Sequence, residues 1–235
     1  MKTAVLLSGC GVFDGSEIHE SVLALLALSQ NKLDYICTAP NLNQHHVLNH
    51  RNGEEMNETR NILTESARIA RGEIVDLNEL DTESISSLLL PGGFGAAKNL
   101  SNWAFEGPKG QIKKAVKDLI LHCIETNKPI VSLCISPTLI AMALKETDYQ
   151  PTLTLGTSLE HSEYNISEIH EAITSIGSKA ENKSVNEVCL DKELNIITAP
   201  CYMMDAQPNE VYKNIKMAVD KLAVILKTNA SRSSV

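Results

Sequence analysis

Short apolar runs alternate with amphipathic stretches along this chain. Residues 3–8 (TAVLLS), 33–39 (LDYICTA), 87–90 (SLLL), 130–134 (IVSLC) and 152–155 (TLTL) read as strands. Two further runs, 185–190 and 194–199, predict a hairpin turning at Asp191 and Lys192. Ser16 is placed to cap a helix carrying Ile18, Val22, Leu23, Leu25, Leu26 and Leu28. Periodic patterns predict helices over 58–71, 111–126, 167–175 and 209–227. Pro137 suits the first turn of another, continued by Leu139, Ile140 and Met142. Residues 41–57 are polar, and a long loop carries Trp103.

Strands alternating with helices imply an α/β fold, a parallel sheet covered on both faces and joined by right-handed crossovers. No Pro/Gly/Ser-rich linker divides the chain, so residues 1–228 read as one domain and 229–235 as a polar tail. The pentapeptide SEIHE occurs at 16–20 and 167–171, but its flanks differ, and it reads as chance rather than a repeat. In open α/β sheets, sites form beyond the carboxyl ends of the strands. Four segments point there: Ser8 to Gly11, Pro91 to Phe94, Cys134, and Pro200 to Tyr202.

Composition narrows the partners. A net charge of −8 argues against nucleic acid and anionic membranes. No apolar run approaches the ~18 residues of a membrane span. The N-terminal run reads as a first strand rather than a signal peptide. The six cysteines contain no CxxC pair, which argues against a metal site or disulfide framework and for a reducing cytoplasm. No cofactor fingerprint is present: the G-x-G-x-x-G pattern and the Walker loop are both missing.

Cys134 is the strongest chemical candidate. It falls on a strand-to-helix turn, the setting of a nucleophile elbow. Free backbone N–H groups and a helix N-terminus favour its thiolate. The glycine loop at Gly92, Gly93 and Gly95 is a candidate oxyanion site, with donors from Gly93 or Phe94 and from Ile135. Glu17 reads as a cap. Glu20, one turn further on, is a candidate proton shuttle, partly buried and bonded to the sulfur. His19 is placed to line the pocket, and Arg60 and Asn99 to anchor a carbonyl or anionic group if 45–61 folds over as a lid. Cys10 and Cys201, both at strand ends, are candidate resolving thiols. His161 and Glu163 read as solvated loop, and His45, His46 and His50 as surface.

Four motifs carry a resemblance to a known family: SGCGVFDGSEIHE at 8–20, N-H-x-x-G-E-x-M-x-E-T-R-N at 49–61, PGGFGAAKNLSN at 91–102 and CISP at 134–137. They resemble the ElbB family, whose members are named for enhancing lycopene (isoprenoid) biosynthesis or as sigma cross-reacting proteins. TAPCYM at 198–203 fits as well. The family belongs to the PfpI and class I glutamine amidotransferase-like superfamily. The resemblance implies a flavodoxin-like three-layer sandwich, a homodimer, Cys134 as nucleophile and Glu20 as its carboxyl partner. It implies a glutathione-independent glyoxalase without metal or cofactor, taking a small carbonyl substrate such as glyoxal to glycolate. One feature departs from the superfamily: relatives carry a His directly after the Cys or about twenty residues on, whereas here Ile135 follows and residues 154–156 hold none. That absence speaks against peptide hydrolysis; amidotransfer is disfavoured because His161-Ser-Glu163 lies too close after Cys134 and no later H-x-E follows. The alternative is a redox-sensing or partner-binding protein with a reactive cysteine.

Overall fold

Along β1 (Lys2–Leu6) successive side chains serve two different cores. Ala4 and Leu6 join one, while Val5, and Leu7 just beyond the strand, join the other. A strand buried on both faces cannot alternate apolar with polar, which is why its sequence is a continuous apolar run. The structure, a computed structural model, describes residues 1–232. After β1 come α1 (Ile18–Gln30), β2 (Tyr35–Ala39), α2 (Ile62–Ile69), β3 (Ile74–Asp76) and β4 (Ile85–Leu90). Two short helices, α3 (Phe94–Lys98) and α4 (Trp103–Glu106), precede α5 (Lys114–Glu125), β5 (Ile130–Leu133) and α6 (Pro137–Leu144). The remainder is β6 (Thr152–Leu153), α7 (Ile166–Thr174), β7 (Lys179–Ala180), β8 (Cys189–Asp191), β9 (Ile196–Ala199) and α8 (Pro208–Arg232).

Seven strands form one sheet in the order β3-β2-β1-β4-β5-β9-β8. All neighbours are parallel except the β8–β9 hairpin. This is the expected α/β architecture, a flavodoxin-like, mostly parallel sheet. Helices α1 and α8 cover the face of Val5, Leu89, Val131 and Leu133; α5 and α6 cover the face of Leu88, Leu90 and Ile130. The strand order reverses direction at β1, with β2 on one side and β4 on the other. The crevice between the β1 and β4 loops is therefore the topological switch point.

Several boundaries differ from the sequence pattern for local reasons. Ser16 does not cap α1. Its hydroxyl accepts the Ser8 N–H at 2.8 Å, and the Glu17 carboxylate caps instead by accepting the Glu20 N–H at 2.6 Å. Of the apolar residues expected to face the core from α1, Ile18, Val22 and Leu26 are exposed. Small residues, Ala24 and Ala27, form the buried face with Leu28. Helix α2 begins four residues late because Asn61 caps it through the Thr64 N–H at 3.0 Å. The half-buried edge strand β3 carries too short an apolar signal to be seen in advance. Residues 152–155 contribute only β6, paired with β7 outside the main sheet. Helix α8 runs to Arg232, five residues beyond the pattern, so the tail's first residues are helical; 233–235 lie outside the described residues. The two SEIHE copies differ in structure: Ser16 and Glu17 precede α1, whereas the second copy lies wholly within α7.

Asn214 of α8 ties this frame to the site. It is fully buried, accepts the Cys201 N–H at 2.9 Å and donates to the Glu187 carbonyl at 2.7 Å. Asn214→Ala leaves the buried Cys201 N–H unpaired and removes the bond to the Glu187 carbonyl. Urea unfolding is expected to show a loss of about 1–3 kcal/mol.

Candidate active site

Strand β5 ends at Leu133, and Cys134 follows with φ +57. A non-glycine residue in this left-handed region stores about 1–3 kcal/mol of strain. Flanking bonds hold it there. The Cys134 N–H reaches the Ala199 carbonyl at 2.9 Å, and the Ser136 N–H closes the turn on Leu133 O at 2.9 Å. The Ser136 hydroxyl, fully buried, donates to the Pro91 carbonyl and pins the elbow to the β4 loop. Pro137 then starts α6 with no N–H to satisfy. The side chain of Cys134 is 6% exposed.

Glu20 is fully buried beside it. Its carboxyl accepts the Gly92 N–H at 2.9 Å and the Tyr202 N–H at 3.3 Å, and it hydrogen-bonds the Cys134 side chain. Burial, then the nearby Glu17 charge, pushes its pKa up to about 8; the two backbone donors and the Cys134 bond oppose that rise. Only glycine fits at residue 92: a Cβ there would stand 2.5 Å from Glu20 Oε2 and 2.9 Å from Cys134 Sγ.

The Cys134 thiol is pushed up as well, by burial first and then by the Glu20 carboxyl. The Gly93 and Ile135 N–H groups pull it down, but less. The helix-terminus effect that favours thiolate is therefore outweighed, which corrects the sequence reading of a low-pKa cysteine. Sulfur and carboxyl titrate as a coupled pair.

The other sequence candidates divide cleanly. Gly93 and Ile135 turn their N–H groups to the sulfur. Phe94 does not, because its N–H is spent on the Val12 carbonyl at 2.7 Å. His19 is exposed, with Nδ1 2.8 Å from the Tyr202 hydroxyl; it lines a neighbouring shallow groove rather than the Cys134 cavity. Asn99 is a buried bolt. It donates to Ser8 O and Asp14 O, each at 2.8 Å, and accepts the His45 N–H at 2.8 Å, so no group is left for a ligand. Arg60 is held by Glu58 at 2.8 Å and approaches Glu65 at 3.7 Å, outside the cavity. Residues 45–61 form no lid. They strap the loop after β1: Leu48 N–H reaches Asp14 Oδ2 at 2.7 Å, and His50 Nε2 accepts the Phe13 N–H at 3.3 Å. Cys10 has Glu65, Arg68 and Asp14 as its charged neighbours and does not line the cavity over Cys134. Cys201 meets Cys134: it is fully buried with its sulfur against the Cys134 backbone N–H.

A cavity of about 230 Å³ opens over Cys134. Phe94, Trp103, Ile135, Tyr164, Ile169 and Met203 supply most of its wall, with Glu17 and Tyr202 at polar points. Tyr164 and Ile169 carried no signal in the sequence. Tyr202 lies inside the TAPCYM motif and could have been found there. Among the described residues, no three His, Cys, Asp or Glu side chains gather as a metal site.

Comparison with known proteins decides the family. A human protein, glutamine amidotransferase-like class 1 domain-containing protein 3, mitochondrial, is 37% identical over 223 residues, spanning 94% of this chain and 82% of its own length. The chain belongs to this glutamine amidotransferase-like family. The rat ES1 protein homolog, mitochondrial, is 36% identical over the same share of each chain. The crystal structure of an isoprenoid biosynthesis protein with an amidotransferase-like domain from Ehrlichia chaffeensis superposes with a TM-score of 0.87. It shares 33% identity and covers 96% of this chain and 99% of its own. The ElbB resemblance thus holds. Drosophila DJ-1beta, at 16% identity and a TM-score of 0.53, shares the fold. No family model matches the chain. The expectation of a cytoplasmic protein is overturned, since the human, rat and zebrafish relatives are all named mitochondrial. Unpaired cysteines mark a reducing compartment and do not single out the cytoplasm. No helix among the described residues is long and apolar enough to cross a membrane.

Glu20 makes stability depend on pH. Its folded pKa, about 8, lies above that of an unfolded carboxyl, so its protonated form stabilises the fold. That contribution is complete below the unfolded pKa and lost as pH rises through about 8. Thermal unfolding is expected to show a melting temperature that falls across this window, with a shallower fall in Glu20→Gln.

Proposed function

We propose that this protein is a cofactor-independent glyoxalase-type enzyme that converts small 2-oxoaldehydes to 2-hydroxy acids, glyoxal to glycolate in the simplest case. The observation that carries this reading is the buried Glu20 carboxyl bonded to Cys134 beside the Gly93 and Ile135 N–H groups. These supply a nucleophile, a proton carrier and an oxyanion site around one sulfur.

The Cys134 sulfur adds to the aldehyde carbon while its proton passes to the Glu20 carboxylate. The two N–H groups hold the developing oxyanion, which Glu20 then protonates to a hemithioacetal. Glu20, again a carboxylate, removes the proton from that carbon to give an enediolate. It returns the proton to the adjacent carbon while the hydroxyl of the former hemithioacetal gives its proton to the neighbouring alkoxide oxygen, leaving a thioester of the hydroxy acid. Water cleaves the thioester, releasing the acid and restoring the thiol. Glyoxal plus water becomes glycolic acid with no external oxidant or reductant. A pKa of about 8 suits a carboxyl that must both take and give a proton near neutrality.

A second reading, redox sensing, is favoured by one observation, the Cys201 sulfur packed at the Cys134 turn. A hydroperoxide would oxidise Cys134 to a sulfenic acid, and the Cys201 thiol would displace water to form a disulfide. Mass spectrometry after mild peroxide is expected to show that disulfide, without aldehyde turnover, if sensing dominates.

For the glyoxalase reading, glycolate formation from glyoxal is expected in the wild type and lost in Cys134→Ser. Glu20→Gln is expected to lower kcat by about 10²–10⁴-fold. The wild-type kcat/KM should rise with pH toward about 8 as the pair loses a proton, and Glu20→Gln should remove that limb. No glycolate from the wild type would overturn the proposal.

A further inference from the structure

We infer that the preferred substrate carries a neutral, apolar group of ring or branched-alkyl size next to its reactive carbonyl. The identity of that carbonyl as a 2-oxoaldehyde rests on the function proposed above; the class of substituent rests on the cavity itself.

Three observations point the same way. The cavity is far larger than glyoxal needs. An apolar cavity of about 150 Å³ already accommodates benzene, and the space over Cys134 is about 230 Å³. Its wall is apolar and aromatic, with Phe94, Trp103, Tyr164 and Ile169 facing the space. Water filling such a wall gains few hydrogen bonds, so an apolar group that displaces it gains affinity.

The charge pattern excludes the other classes. Among the described residues, no Lys, Arg or His lines the cavity. The nearest cation of the glycine-loop helix, Lys98, spends its ammonium on the Phe13 carbonyl at 3.0 Å and stands 5.2 Å from the centre of the Phe94 ring. Among the described residues, the one acid on the wall is Glu17, and Glu20 lies fully buried beside Cys134. A carboxylate-bearing substrate, such as a 2-oxo acid or the free amino acid glutamine, would bury its anion with no cationic partner and near two carboxyl groups.

Ala104 gives a handle on the fit. It is exposed on α4 yet lines the cavity, so a larger side chain there narrows the space without entering the core. The experiment compares phenylglyoxal with glyoxal as substrates. The ratio of their kcat/KM values is expected to fall at least tenfold in Ala104→Leu. A second measurement needs no turnover. Alkylation of Cys134, followed by peptide mapping, is compared for N-phenyl iodoacetamide and iodoacetate, each rate divided by that with glutathione. The neutral aryl reagent is expected to be at least tenfold faster.

Equal or reversed alkylation rates would overturn the inference, as would an unchanged substrate ratio in Ala104→Leu. If neither oxoaldehyde is turned over but the alkylation preference holds, the proposed reaction fails and the ligand class stands.

Discussion

The site depends on a carboxyl that water cannot reach. A fully buried Glu20 is tolerable only when it keeps a proton or finds donors, and the structure provides both routes. The Gly92 and Tyr202 N–H groups come from two different sheet strands' loops, and the sulfur comes from a third. Glu20 itself arrives on α1. One side chain thus holds four segments in register, and each of them owes its position to the parallel sheet. The chemistry proposed here uses the same property that makes the carboxyl costly: its pKa, lifted to about 8, lies where protons are exchanged near neutrality.

Much of this was legible in the chain. The continuous apolar runs of β1, β4 and β5 mark strands buried on both faces, and a Cys between such a strand and Pro137 marks the elbow. Glu20 could be singled out because it follows a capping acid by three residues, at a position where the dipole needs no second one. What could not be read was which polar groups would be consumed by the frame. Asn99 and Arg60 look like ligand anchors in one dimension. In three, Asn99 saturates itself on Ser8, Asp14 and His45, and Arg60 on Glu58. Nothing local in the sequence distinguishes a donor spent on the backbone from one left for a substrate.

The cysteine shows a similar limit. A helix N-terminus lowers a thiol's pKa, and the two N–H groups do pull in that direction. Burial and a neighbouring carboxyl pull harder, and both depend on tertiary packing. The cavity wall was equally hidden. Tyr164 and Ile169 lie in and beside a polar stretch whose periodicity says only that a helix begins. Packing of α7 against α6 and β7 brings Ile169, and the segment before it brings Tyr164, to the cavity wall.

The left-handed backbone of Cys134 also limits how this site can change in descent. At φ +57 a β-branched replacement is strained, whereas glycine, asparagine and aspartate accept the turn readily. A lineage that gave up the thiol would therefore keep the elbow intact most easily by passing through small or polar residues. Valine or threonine would cost it the turn as well as the reaction. The loop's shape is a filter on its own history, independent of whatever the sulfur does.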